Sequence, residues 1–406
     1  MNKGQVAISQ SRRIARENLR EKVAIVQNVA VNDHRMVHTD GIGRELIKRG
    51  YEVEVIVQEN KGKRQFENPP YELVCLPGGT YSISGQLVFT RNLFRLLKRK
   101  DYDIIHGKNP FSSVLPALLL KKVGGRAKTI YDIRGLWVDF GVHAKRMPKA
   151  VALWLEKLDR FCMNRVDRVI AISYELRDVL VRNGVEEGKI EVIVGDGVDL
   201  LKAKDVRKKD VRDFFGFDGK VVGYVGSIGR ARCSERIIES FGIVKGQADF
   251  EVSLVMMGPF QDEFEAEYFQ NLVRKKGLEG SVFFTGYIPH DEAIGYMKSF
   301  DVAVAYHEGD FEFYNVAVPT KVLEYMATGR SIVATDHKMY RNLLIHGEDG
   351  YLTGQNPKAF AEGVLCLLEN DELSERLSKN AQMTAEKYSF QKVTDQVEEV
   401  YEMVLS

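Results

Sequence analysis

DVAVAYHEGDFEFYNVAVPTKVLEYMATGRSIVATD (301–336) is the stretch on which the reading of the fold turns. It opens and closes on short β-branched runs, DVAVAY (301–306) and SIVATD (331–336). Between them a helical pattern starts after Pro319 and stops at Gly329. Strand, helix and strand in succession are the repeating unit of a parallel sheet with helices on its faces. Val322, Leu323, Met326 and Ala327 make the apolar stripe of the helix, Thr320 is placed to cap its start, and Gly329 to end it. Glu324 lies one turn in, near the helix start, where its carboxylate is able to reach a ligand beyond the strand ends. An ionised carboxylate accepts two hydrogen bonds and so matches a vicinal diol such as a ribose. A solvated surface glutamate is the competing explanation.

Outward from this stretch the same rhythm runs through the chain. Before it come VVGYVGSIG, a helix over 234–244, EVSLVMMG, a helix over 262–276, SVFFTGYI and a helix over 290–299. A charged segment, LKAKDVRKKDVRD (201–213), separates these from an earlier series. That series holds strands at 23–29, 52–58, 102–107, 127–133 and 167–173, and KIEVIVGDGVD (189–199). Helices are expected at 36–49, 89–100, 112–125, 148–166 and 175–183, and three more close the chain at 357–370, 371–387 and 390–404. With 406 residues, one core is too few, and two α/β domains with a seam near residue 200 are expected. Ligands of such sheets sit beyond the carboxyl ends of the strands.

The composition, 44% apolar and 28% charged, is that of a folded globular chain. Its apolar runs are far shorter than the roughly 20 residues of a spanning helix. Residues 1–20 are basic without an apolar core, unlike a secretory signal. Cys75, Cys162, Cys233 and Cys366 have no metal-type spacing, which fits reduced thiols in a cytoplasmic protein. The net charge of +1 conceals a split: residues 1–200 hold 34 basic and 24 acidic residues, the remainder 24 and 33. The basic half suggests an anionic partner; unevenly spread solvated charge explains it equally well.

Four strand-end segments carry candidate chemistry. In GYVGSIGRARCSE (223–235), glycines let backbone N–H groups approach a phosphate, and Arg230 and Arg232 offer guanidinium groups. A tight turn with solvated arginines is the alternative. The segment 314–329 contributes Pro319, Thr320, Lys321 and Glu324. YDIRGLWVDF (131–140) places Asp132 and Arg134 at a strand end, as a ligand-facing or a buried structural pair, and His106 ends IIHG in a similar position. VNDHRMVHTDG (31–41) gathers Asp33, Arg35 and His38 where a second substrate would enter, with helix capping by Asp33 as the competitor.

In the order and spacing of VGYVGSIG, VFFTGYIPHDEAIGYMKSFDVAVAY and VPTKVLEYMATGRSIVATD, the chain resembles glycosyltransferase family 4. YDIIHG, DRVIAISYELRDVLVRNGV and KIEVIVGDGVD extend the resemblance to the first half. It implies a GT-B fold: two Rossmann-like domains facing a central cleft, 1–200 for the acceptor and 201–388 for the donor, with 389–406 crossing back to the first domain. It also implies a retaining, metal-independent transfer of a sugar from a UDP-, GDP- or ADP-sugar, with no cofactor and no nucleic acid. Carried over, Gly226 and its loop hold the donor diphosphate. The family's loop Arg and Lys fall on Ser227 and Arg232, with Arg230 as a substitute for Ser227. Glu324 is the second Glu of a Glu-x7-Glu motif, binding the donor ribose, while Val316 stands for the first. Pro319-Thr320-Lys321 matches a turn whose amides contact phosphate or sugar. The family's catalytic histidine aligns with Asp132, so Asp132 and Arg232 are the catalytic candidates, with Asp33, Arg35, His38, His106 and Arg134 on the acceptor side. A nucleotide-sugar 2-epimerase and a catalytically weakened nucleotide-sugar binder are the alternatives. VFTRNLFRLLKRK (88–100), with Leu93, Leu96 and Leu97 among basic residues, and KRMPK (145–149) suggest peripheral contact with an anionic membrane and a lipid-linked or glycan acceptor, with a helix packed on the sheet behind a basic outer face as the competing explanation.

Overall fold

A computed structural model describes residues 20–31, 33, 35–59, 68–79, 82–143 and 149–406. The chain divides into two compact units: one reaches Val194 and takes in Phe390–Ser406, the other is Gly195–Ser389. The division falls ahead of the expected seam because the segment after Val194 is bound into the second unit. Val198 N donates to Tyr388 O at 2.9 Å, and Thr320 Oγ1 donates to Asp196 Oδ2 at 3.1 Å.

The first unit is built on β1 (Lys22–Ala30), β2 (Glu52–Gln58), β3 (Glu72–Leu76), β4 (Ile104–Gly107), β5 (Lys128–Ile133), β6 (Arg168–Ala171) and β7 (Ile190–Val192). All are parallel, in the order β3-β2-β1-β4-β5-β6-β7. β1, β4, β5 and β6 are buried almost throughout, as the continuous Val/Ile runs of a doubly covered sheet require. The pairing strand β3, ELVCL, is the element the sequence pattern passed over; only partly buried at the sheet edge, it lacks the run of branched residues that marks the others. The helix expected at 89–100 runs instead over Ile83–Leu97, six residues earlier, because the Ser82 side chain accepts from Gly85 N and starts it there. Its Leu93 and Leu97 lie in the core against β1 and β2, as in a helix packed on the sheet, and not on a face open to a membrane.

The last helix, Phe390–Leu405, belongs to this unit. Val393, Val397, Val400, Tyr401 and Val404 recur at helical spacing and join the core beside Val23, Ile25 and Val55. Burial of such side chains stabilises by about 1.5–3 kcal/mol each. Gly41 leaves room for the Phe390 ring; a Cβ there would sit 2.4 Å from its Cδ1. Arg49 fastens the outer face, donating to Asp395 at 2.7 Å and Glu398 at 2.8 Å.

The second unit contains β8 (Lys220–Val225), β9 (Val252–Met257), β10 (Val282–Phe284), β11 (Val302–Ala305), β12 (Ser331–Thr335) and β13 (Tyr351–Thr353), parallel in the order β10-β9-β8-β11-β12-β13. Its core packs Val222, Leu254, Val304 and Val333 against Phe241, Phe269 and Phe360 of the covering helices. Among the described residues no helix is long and apolar enough to cross a membrane. All four cysteines are free.

Candidate active site

Strand order reverses once in each sheet, between β1 and β4 and between β8 and β11. The crevice outside the carboxyl ends at such a reversal is where open α/β sheets bind ligands.

In the second unit the chain leaves β8 through Gly226 and enters the helix Ser234–Gln247 after one turn, Arg230–Arg232. Gly226 has φ +136°, and a Cβ there would lie 2.9 Å from Lys321 Nζ. Glycine is therefore needed for the ammonium to come this close. Lys321 Nζ stands 3.9 Å from the centroid of the Tyr224 ring, a cation–π contact, while the Tyr224 hydroxyl donates to Ser227 O at 3.0 Å. The loop amides are less open than the sequence suggests. Gly226 N donates to Met257 O and Ile228 N to Pro259 O, each at 2.9 Å, and Gly229 N donates to Ser234 Oγ at 3.1 Å. The loop's side chains are the remaining candidates for holding an anion. Of the two arginines, Arg230 is committed: its Nε donates to Glu265 at 2.9 Å and its guanidinium stacks on Tyr268. Arg232 is exposed, and neither it nor Lys321 forms an ion pair with another described residue. Ser227 is exposed and uncharged.

The helix bearing Lys321 and Glu324 is Thr320–Ala327. Thr320 does not cap it. Pro319 holds the N-cap position without a side-chain bond, and the Thr320 hydroxyl goes to Asp196 instead. Val316 is completely buried, so the site of the absent first Glu is apolar interior rather than a ligand-facing position. Glu324 Oε1 is 2.6 Å from His290 Nε2. Burial opposes charge on His290, but the Glu324 carboxylate outweighs it and raises the imidazole's proton affinity. A second histidine, His307, follows β11. Its pKa is pushed down to about 3, by burial and then by its neighbours His337, Arg232 and Lys321, so it is neutral. Sequence reasoning missed Tyr224, His290 and His307. Only the positions of the two histidines, each a short way past a strand, hinted at them.

The first unit brings Asp132, Arg134, His106 and His38 together, and adds Lys108. Asp132 is fully buried; Arg134 Nε lies 2.7 Å from Oδ1, and Lys108 Nζ and His106 Nε2 each lie 3.1 Å from Oδ2. His38 Nε2 is 3.5 Å from Oδ2 and 2.5 Å from an Arg134 nitrogen. Burial alone would raise the Asp132 pKa, but Arg134, Lys108 and the histidines hold it well below the usual carboxylate range. A buried carboxylate so tightly paired is a poor proton acceptor, which suits Asp132 to anchoring its neighbours more than to proton transfer. His106 is equally buried and passes the network on, its Nδ1 lying 2.8 Å from the Tyr401 hydroxyl. Asp33 and Arg35 pair with each other, at 2.8 and 2.6 Å, rather than with this cluster.

Comparison with known proteins sets these two units in a fold class. The solved structure of HepE from Anabaena in complex with UDP and glucose matches with a TM-score of 0.76 at 16% identity, covering 95% of this chain and 100% of that one. A glycosyltransferase from Rickettsia africae matches with a TM-score of 0.76 at 14% identity, over 95% and 99%. The fold is GT-B. The family model for Glycosyltransferase Family 4 matches residues 37–200, and that for Glycosyl transferases group 1 matches 207–384. The chain belongs to glycosyltransferase family 4 and is a glycosyltransferase. The capsular polysaccharide biosynthesis glycosyltransferase CapM of Staphylococcus aureus is 22% identical over 370 residues, 89% of this chain and 92% of CapM. The putative glycosyltransferase EpsD of Bacillus subtilis is 24% identical over 324 residues, 78% of this chain and 80% of EpsD.

Proposed function

We propose that the protein transfers a sugar from a nucleotide-sugar donor to a hydroxyl of a glycan or lipid-linked acceptor, with retention and without a bound metal. One observation carries the reading: Arg232 and Lys321, two cations unpaired among the described residues, stand at the β8–β11 reversal with the Glu324 carboxylate close by in sequence and on the same helix as Lys321. Two positive charges suit a diphosphate, and the carboxylate suits the ribose diol. Breaking the sugar–phosphate bond leaves negative charge on the diphosphate. Arg232 and Lys321 stabilise that charge as it develops, which is the largest service such a site performs. The leaving phosphate then accepts the acceptor proton, a role that the paired Asp132 is ill suited to fill. A polysaccharide product agrees with what CapM is named for.

The test combines thermal unfolding with UDP, GDP and ADP and hydrolysis of the matching nucleotide sugars. One nucleotide raises the Tm by binding only the folded state. The hydrolysis it supports is insensitive to EDTA and lost in Arg232→Ala. Failure of every nucleotide to shift the Tm overturns the reading.

Peripheral attachment to an anionic membrane belongs to the same proposal, on different residues from those expected. Leu93 and Leu97 are core, and KRMPK lies outside the described residues except for Lys149. The support comes from Ile83 and Leu87, 84% and 65% exposed, and Leu153 and Trp154, 60% and 62% exposed, on helices that also carry Arg91, Arg95, Lys157 and Arg160. Sedimentation with anionic vesicles at low salt, lost in Trp154→Ala, checks it; no sedimentation of the unaltered protein removes it.

A further inference from the structure

His290 and Glu324 come from separate elements, the first residue of the helix His290–Met297 and the second turn of Thr320–Ala327. Their contact of 2.6 Å has one possible polarity: the ionised carboxylate has no proton to give, so His290 Nε2 donates and Glu324 Oε1 accepts. The side chains are 25% and 12% exposed, so the pair is largely withdrawn from water yet open along an edge. A glutamate has three rotatable bonds, and gripping two adjacent hydroxyls demands that the carboxylate plane be fixed before the ligand arrives. Nothing in Glu324's own helix supplies that constraint.

We propose that His290 is a positioning residue for Glu324, holding one carboxylate oxygen so that the carboxylate is set to receive the 2′- and 3′-hydroxyls of the donor ribose. The inference rests on the assignment of Glu324 to the ribose. The surroundings of His290 fit this task. Asp291 Oδ1 lies 3.9 Å from Nδ1 on the same helix, and Lys202, from the helix Leu200–Asp205, pairs with Asp291 and works against charge on the ring. Glu324, from the third element, prevails, and the imidazole keeps its proton to higher pH than an ordinary histidine. Below that pKa both partners of the hydrogen bond are charged. Above it, a neutral ring still donates from Nε2, but more weakly.

The experiment measures the affinity of UDP, GDP, ADP and their 2′-deoxy counterparts for the unaltered protein, His290→Ala, His290→Gln and Glu324→Ala by calorimetry, from about pH 5.5 to 8.5. His290→Ala weakens the preferred ribonucleotide about tenfold, the usual cost of a lost hydrogen bond to a charged group, and barely alters binding of the 2′-deoxy form. His290→Gln, which keeps an N–H donor of similar reach, restores most of the affinity. The affinity ratio of the unaltered protein to His290→Gln falls as pH rises through the His290 pKa; taking the ratio cancels the titration of the nucleotide itself. In turnover, KM for the donor rises in His290→Ala while kcat holds. Equal losses for the ribo and 2′-deoxy forms, or tighter binding in His290→Ala, overturn the proposal. If Glu324→Ala also treats the two forms alike, the ribose assignment has failed. If Glu324→Ala tells them apart and His290→Ala does not, only the role of His290 has.

Discussion

The two units place charged side chains at equivalent points of equivalent sheets and treat them in opposite ways. At the β1–β4 reversal and the neighbouring end of β5, Asp132 is sunk from solvent and surrounded by Arg134, Lys108, His106 and His38. At the β8–β11 reversal, Arg232 and Lys321 meet no carboxylate among the described residues, and the histidine near them is driven neutral. The first cluster pairs its carboxylate with buried cations inside the protein, so its removal is felt by the fold. The second holds unbalanced charge, which costs stability until an anion supplies the other half, so its removal is felt by the ligand.

The largest expected effect is on the buried cluster. Asp132→Asn leaves Arg134 and Lys108 buried without their counter-charge, and thermal or urea unfolding should register a loss of about 3–5 kcal/mol. The pH dependence has a definite sign. Because the folded pKa of Asp132 is depressed, its contribution is present above the ordinary carboxyl pKa and is lost as pH falls toward the lower folded value. The Asn variant should lack that acid-side loss. Next come Arg232→Ala and Lys321→Ala, each lowering kcat/KM by about 10²–10³, the scale of removing one group that stabilises developing charge. Their Tm should be unchanged or higher, since like charges have been relieved. A large drop in Tm with full activity would erase the contrast between the units. Tyr401→Phe leaves His106 Nδ1 without its hydroxyl and should cost about 1–3 kcal/mol in unfolding, with kcat unaffected. Smallest is Arg230→Ala, expected to alter donor KM less than about threefold, because this exposed guanidinium already serves Glu265 and exposed pairs contribute little.

The architecture was legible because strands such as VAIVQNV and EVEVIVQ advertise burial on both faces, and because Gly50 and Gly329 end helices where they should. The edge strand ELVCL carries no such mark and escaped. Local rules misjudged Thr320, whose hydroxyl prefers Asp196, 124 positions away, to its own helix. As donor-side candidates, Arg232, Lys321 and Glu324 were legible from their motifs. What pairs with them was not: His290 meets Glu324 across 34 residues, and the neutrality of His307 follows from charges the fold gathers from distant segments. Asp132 was found by position; its burial and its pairing with Lys108 are invisible in the string YDIRG.

The return of Phe390–Leu405 to the first unit bears on how such chains are recombined. An exchange of halves between relatives through a single splice would hand the first unit a foreign helix, with five apolar side chains and Tyr401 fitted to another protein's sheet. The natural module for exchange is an insert, Gly195–Ser389, cut at two points and lifted out whole. Hybrids joined at both junctions keep Gly41 with Phe390 and His106 with Tyr401, and should fold where single-splice hybrids of the same parents aggregate.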